Sequence, residues 1–206
     1  HLSVAAARDA RPEHFRARLG EALVDIRLNI AGRHNVRNAL AAAACTLALG
    51  VPVEAIVRGL AAFEPVSGRL RRTHTAQGVP LIDDTYNANP DSMRAAIDVL
   101  ADQPAPRLLV MGDMGETGAQ AEAFHREVGE YAVSRAIEQV WAVGKDMKAA
   151  AQAGGVQHWE TVEALLAEHP QAPAGIASIL VKGSRFMKME RVVRAWAEAA
   201  SPQGEH

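Results

Sequence analysis

From residue 79 onward, short apolar runs alternate with stretches of helical spacing, and this alternation limits the possible folds more than any other feature. Val79–Asp84 is a short strand ending in acids, and Asn89-Pro90 then starts a helix to about Ala101, with Asn89 as its cap. Arg107–Met111 is a buried strand, followed by the loop Gly112–Gly118 and a helix to about Arg135. Strand Val140–Val143, helix Asp146–Ala153, a short strand near Val156, helix Val162–His169, strand Ile179–Val181 and helix Met187–Ala199 complete the series. The pattern predicts an α/β, Rossmann-like fold, a mostly parallel sheet with helices on both faces. In such sheets ligands bind past the carboxyl ends of the strands.

The first part of the chain reads differently. His14–Leu19 alternates, Gly20-Glu21 can turn, and Val24–Ile30 places apolar residues at every second position, which predicts a β-hairpin. Asn35–Leu49 is a helix by propensity, ended by Gly50, and Pro52 opens a second helix, Val53–Phe63. Glu64–Gly68 breaks the pattern and divides residues 1–64 from residues 65–206. The chain opens on His1 rather than methionine, and reads as a cut through a longer protein.

Charge and composition exclude several classes. A net charge of −2 leaves no strongly basic face for nucleic acid. The single cysteine, Cys45, excludes an intramolecular disulfide and any multi-cysteine metal site, in keeping with a reducing cytosol. No run approaches the roughly 20 strongly apolar residues of a membrane span, and a monomer is expected. No metal site is expected within the chain, because the eight histidines form no H-x-x-x-H pair. No G-x-x-x-x-G-K-[S/T] phosphate loop occurs either. Gly112–Gly118 is spaced G-x-x-G-x-x-G, which is more often a flexible connection than a phosphate cradle.

Three polar stretches carry the candidate chemistry, each with a plain structural alternative. Asn35 can be a helix N-cap, while Asn38 in the first turn offers the donor and acceptor that read an adenine edge. Asp83–Pro90 places two adjacent acids at a strand end. One of them can accept ribose hydroxyls, or the stretch can be turn chemistry alone. If Asp84 serves a ribose, its removal weakens nucleotide binding and leaves stability nearly unchanged. Lys182-Gly183-Ser184-Arg185 follows the last strand. Ser184 can cap the next helix and the two cations can hold a carboxylate or phosphate, or the charges are simply solvated.

Taken in order and spacing, Gly32–Ala42, Gly68-Arg69-Leu70 and Asp83–Pro90 resemble the Mur ligase family. Val110–Glu116 and Leu180–Arg185 resemble the branch that adds D-alanyl-D-alanine to UDP-N-acetylmuramoyl-tripeptide. The resemblance implies an ATP-dependent amide ligase of cytoplasmic peptidoglycan-precursor synthesis, acting through an acyl phosphate with ATP and Mg2+. It implies Asn35 and Asn38 at the adenine, Arg69 at the phosphates or ribose, and Asp84 at the ribose hydroxyls. Asn87, Asn89, Lys182, Ser184 and Arg185 would surround the dipeptide. Residues 1–64 would be the end of a central ATPase domain and residues 65–206 a carboxy-terminal ligase domain. The phosphate loop and metal ligands would lie upstream, so the chain alone is expected to be inactive. A ligase of the folylpolyglutamate synthase type and a non-catalytic nucleotide-binding module are the alternatives.

Overall fold

The computed structural model describes residues 3–5, 14–30 and 32–197. It consists of two compact units that divide between Val66 and Ser67.

In the first unit, β1 (Ser3–Ala5), β2 (His14–Leu19) and β3 (Ala22–Arg27) form an antiparallel sheet in that order. Phe15, Ala17 and Leu19 alternate inward along β2 and pair with Ile26, Val24 and Ala22. The tight turn at Gly20 (φ +63°) joins Leu19 directly to Ala22 in register, so β3 starts two residues before the expected Val24. Helices α1 (Arg33–Ala48) and α2 (Val53–Ala61) cover the apolar face. Ala39, Ala43 and Ile56 pack there against Phe15, Leu19, Ile26 and Leu28, and the two small alanines let the α1 backbone come close.

The second unit is a six-stranded sheet. Its strands are β4 (Arg71–His74), β5 (Pro80–Asp84), β6 (Arg107–Gly112), β7 (Gln139–Val143), β8 (Val156–Trp159) and β9 (Ser178–Lys182). Their order is β4-β5-β9-β6-β7-β8, parallel throughout except for β4, which runs antiparallel along the edge. Helices α3 (Pro90–Ala101) and α4 (Ala121–Ser134) lie on one face, α5 (Val162–Glu168) and α6 (Glu190–Ala197) on the other. Strand alternation explains this division. Leu108, Val110, Ile179 and Val181 meet Val162, Leu165, Val192 and Trp196 of α5 and α6. The intervening Leu109, Met111 and Leu180 are equally buried, on the side of Met93 and Ile97 of α3 and Val128 of α4. All three tryptophans gather on the α5–α6 side: the Trp141 ring centre lies 5.1 Å from that of Trp159 and 6.0 Å from that of Trp196.

Two helical expectations need correction. Asp146–Ala153 is wound as a 3-10 helix. Its first turn is held by the Asp113 carboxylate, and its backbone presses on α4 so closely that a Cβ on Gly129 would lie 2.7 Å from the Ala150 carbonyl oxygen. These tertiary contacts override alanine's preference for the α-helix. The last helix begins at Glu190 rather than Met187, because a separate 3-10 turn, Arg185–Met187, ends in left-handed Lys188 (φ +52°). Its expected end at Ala199 lies outside the described residues.

The start of β6 is pinned by one ion pair. The Arg107 guanidinium donates to both oxygens of Glu138, at 2.9 and 3.0 Å, and to the carbonyls of Ala101 and Ala136. These bonds hold the Glu138 carboxyl down at about 2. A carboxyl lowered on folding contributes stability above its ordinary value of about 4.3, and that contribution is lost as pH falls towards the folded value. Glu138→Gln is therefore expected to lower the melting temperature at pH 7 and to flatten its fall between about pH 4.5 and 2. Melts across that range check both effects.

Candidate functional site

Because β9 inserts between β5 and β6, the carboxyl ends of these three strands open side by side. Three loops leave this edge: Thr85–Asn89 after β5, Asp113–Thr117 after β6, and Gly183-Ser184 after β9. Glycines permit the approach. A Cβ on Gly183 would lie 2.6 Å from Met189 Cγ and 3.1 Å from Gly112 Cα, so the ends of β6 and β9 meet backbone to backbone.

The two acids at the end of β5 grip the turn Gly68-Arg69-Leu70. Asp83, nearly buried, accepts from the Gly68 N–H (3.2 Å) and from the Thr85 hydroxyl (2.7 Å). Asp84 accepts from the Leu70 N–H (3.1 Å) through one oxygen and from Lys182 Nζ (2.6 Å) through the other. Gly68 has φ +76°, and a Cβ there would come within 2.9 Å of the Tyr86 nitrogen. The clamped turn presents Arg69, which is exposed and carries its guanidinium 4.2 Å from the Tyr86 ring centre. Arg185, also exposed, lies 5.3 Å from the same centre. Two cations therefore share one aromatic ring at the mouth of the site, an arrangement suited to an anionic ligand.

The other candidates fall into distinct groups. Lys182 is 3% exposed, and its ammonium is spent on Asp84 and on the Asn87 carbonyl (2.8 Å). Ser184 is equally buried. Its hydroxyl accepts from the Gly115 N–H (2.7 Å) and donates to the Ala88 carbonyl (3.2 Å), so it does not cap the following turn as expected. Asn87 is exposed and accepts from the Ala88 N–H. Asn89 forms the expected cap of α3, reciprocated by Ser92 in a capping box.

Asn35 and Asn38 belong to the first unit and sit together at the start of α1. The Asn38 amide donates to the Asn35 side-chain oxygen at 3.3 Å. Asn35 is not the N-cap. The helix starts at Arg33 behind Gly32, whose φ of +103° makes the entry, so Asn35 falls inside the first turn.

Two buried residues that sequence reasoning missed hold the β6 loop. Asp113 accepts from the Met147 N–H (2.7 Å), and burial pushes its carboxyl above the usual range, partly offset by the backbone N–H groups of Met147 and Asp146. Gly144 is matched to it, since a Cβ there would overlap the carboxylate. His125 donates from Nδ1 to the Ala121 carbonyl and accepts the Met114 N–H at Nε2 (2.9 Å), which defines one neutral tautomer. The available signal was a histidine on the same helical stripe as Val128 and Ala132. Among the described residues, no three His, Cys, Asp or Glu side chains come together as metal ligands.

A parallel sheet with three loops fastened at one edge, preceded by a hairpin and two helices, defines the class, and the chain belongs to the Mur ligase family. Residues 68–185 match the family described as Mur ligase, glutamate ligase domain. The chain is similar to the UDP-N-acetylmuramoyl-tripeptide--D-alanyl-D-alanine ligase of Escherichia coli, 47% identical over 178 residues, which cover 85% of this chain and 39% of that protein. The crystal structure of MurF from Acinetobacter baumannii superimposes with a TM-score of 0.80 at 34% identity, over 97% of this chain and 44% of that one. The MurF ligase of Thermotoga maritima in complex with ADP shares the fold, with a TM-score of 0.77 at 23% identity over 89% of this chain and 43% of that one. The chain thus spans about two fifths of the length of the relatives it matches.

The clamp around Asp84 overturns the expectation that its loss would leave stability unchanged. Lys182→Met removes the buried ammonium that joins Asp84 to the Asn87 carbonyl and is expected to cost about 3 kcal/mol. The double variant Lys182→Met/Asp84→Asn should recover part of that loss, and urea denaturation of the three chains measures the difference.

Proposed function

We propose that this chain is part of an ATP-dependent amide ligase that joins D-alanyl-D-alanine to UDP-N-acetylmuramoyl-tripeptide, a cytoplasmic step of peptidoglycan-precursor synthesis. The observation that carries this reading is the 47% identity to the Escherichia coli ligase across most of the chain, which favours that branch over a folylpolyglutamate synthase type. No helix of the described residues is long and apolar enough to cross a membrane, in keeping with soluble substrates.

In this reading ATP phosphorylates the tripeptide carboxylate, the dipeptide amine attacks the acyl phosphate, and the products are an amide, ADP and phosphate. A carboxylate is a poor electrophile, and phosphorylation supplies the leaving group. Positioning and charge stabilisation do the rest. We assign Arg69 to the phosphates or ribose, since its guanidinium is exposed on a clamped turn. We assign Asp84 to the ribose from its place at the carboxyl end of β5, beside the turn that carries Arg69. Asn35 and Asn38 are assigned to the adenine. The exposed Arg185, with Asn87 and Asn89, is assigned to the dipeptide, while Lys182 and Ser184 brace the loops from below. The Thermotoga maritima relative was crystallised with ADP, which supports the nucleotide assignment. Among the described residues no three His, Cys, Asp or Glu side chains come together, and in this reading the ligands of the Mg2+ that accompanies ATP lie outside this chain.

A chimera tests the proposal. When this chain replaces the matching segment of the Escherichia coli ligase, phosphate release is expected to require ATP, UDP-N-acetylmuramoyl-tripeptide and D-alanyl-D-alanine together. The 206-residue chain alone should release none. Arg69→Ala in the chimera should raise KM for ATP at least tenfold with little change in melting temperature. A folded chimera that turns over without the dipeptide, or not at all, overturns the reading.

A further inference from the structure

Ser184 occupies an unusual position. It lies at the carboxyl end of β9, between the loops that leave β5 and β6. It is 2% exposed, and its polar groups reach the β5 loop, the β6 loop and the turn that follows it. Its N–H donates to the Asp113 carbonyl (3.0 Å) and its own carbonyl accepts from the Met187 N–H (2.9 Å). Its hydroxyl accepts from Gly115 and donates to the Ala88 carbonyl. A hydroxyl has one proton to give, and here it is already given.

The surroundings reinforce the same connection. Lys182, two residues earlier and on the same side of the strand, holds the Asn87 carbonyl, so two consecutive carbonyls of the β5 loop are fastened by side chains of β9. The β6 loop is fastened in turn to the 3-10 segment beyond β7 through Asp113 and Met147. Removing the Ser184 hydroxyl would strand the Gly115 N–H and release a link that joins the β5 and β6 loops through a common atom.

We infer that Ser184 is a positioning residue that couples these loops, so that Tyr86–Asn89 and Asp113–Thr117 keep one mutual register whichever of them meets a ligand. It does not touch the dipeptide. The inference rests on the ligase reading for its kinetic consequence, and on the chain alone for its structural one.

Both sides are measurable. In the active chimera, Ser184→Ala is expected to raise KM for ATP and for D-alanyl-D-alanine together, each by about fivefold, the scale of one hydrogen bond. Ser184→Thr, which keeps the hydroxyl, should restore both. A rise in the dipeptide KM alone would make Ser184 a direct ligand contact and overturn the inference, as would no change in either. In the isolated chain, amide exchange followed by NMR separates this outcome from failure of the ligase reading. Ser184→Ala should expose the Gly115 amide and shift the resonances of Tyr86–Asn89, while the Leu109 and Leu180 amides stay protected. Shifts confined to one loop would overturn the coupling even if the chimera were inactive. Should the alanine variant fail to fold, Ser184→Cys carries the same measurements with a weaker donor.

Discussion

The ends of β6 and β9 meet without side chains between them, and the candidate site depends on that contact. A Cβ on Gly112 or Gly183 would come within 2.8 Å or 2.6 Å of the Met189 side chain, and one on Gly183 within 3.1 Å of Gly112 Cα. A larger residue at Gly183 would press on the Gly112 backbone where the loops begin, beside the bonds of Ser184 to Gly115 and Ala88. The backbone contact comes first, and the polar network is built over it.

Over that contact, charge is distributed by depth. The acids sit low: Asp83 and Asp113 are nearly buried and bond to backbone N–H groups, and Asp84 is paired with buried Lys182. The guanidiniums of Arg69 and Arg185 sit high, against the exposed Tyr86. Buried carboxylates are costly unless bonded, and here the bonding partners are the loops themselves. The desolvation of these acids is offset by fixing the turns that hold the cations at the surface. The same residues thus account for both the rigidity of the site and its positive rim.

Most of the second unit was legible because its strands are apolar runs and its helices carry stripes, a change of period that survives in any sequence. The hairpin of the first unit was legible for the same reason. The edge strand β4 was not, because Arg-Arg-Thr-His has no apolar alternation to mark it as a strand. The motif residues Arg69, Asp84, Asn87, Asn89, Lys182, Ser184 and Arg185 all fall at the carboxyl ends of β5 and β9 or on the turn clamped there. What each does there was beyond reach. Whether a lysine is solvated or spent on an aspartate 98 residues away depends on tertiary placement, as with Lys182 and Asp84. The buried roles of Asp113 and His125 were hidden for the same reason, because their partners are backbone amides with no signature of their own.

The gathering of Trp141, Trp159 and Trp196 on one side of one sheet has an optical consequence. They are the only tryptophans in the sequence, and both tyrosines, Tyr86 and Tyr131, also lie beyond Ser67. The residues before Ser67 contribute phenylalanine alone, so the intrinsic fluorescence of this chain is emitted entirely by the second unit. A denaturation curve read by tryptophan emission follows the parallel sheet and is blind to the hairpin and its two helices. Circular dichroism sees both, and any gap between the two curves is the unfolding of the first unit made visible.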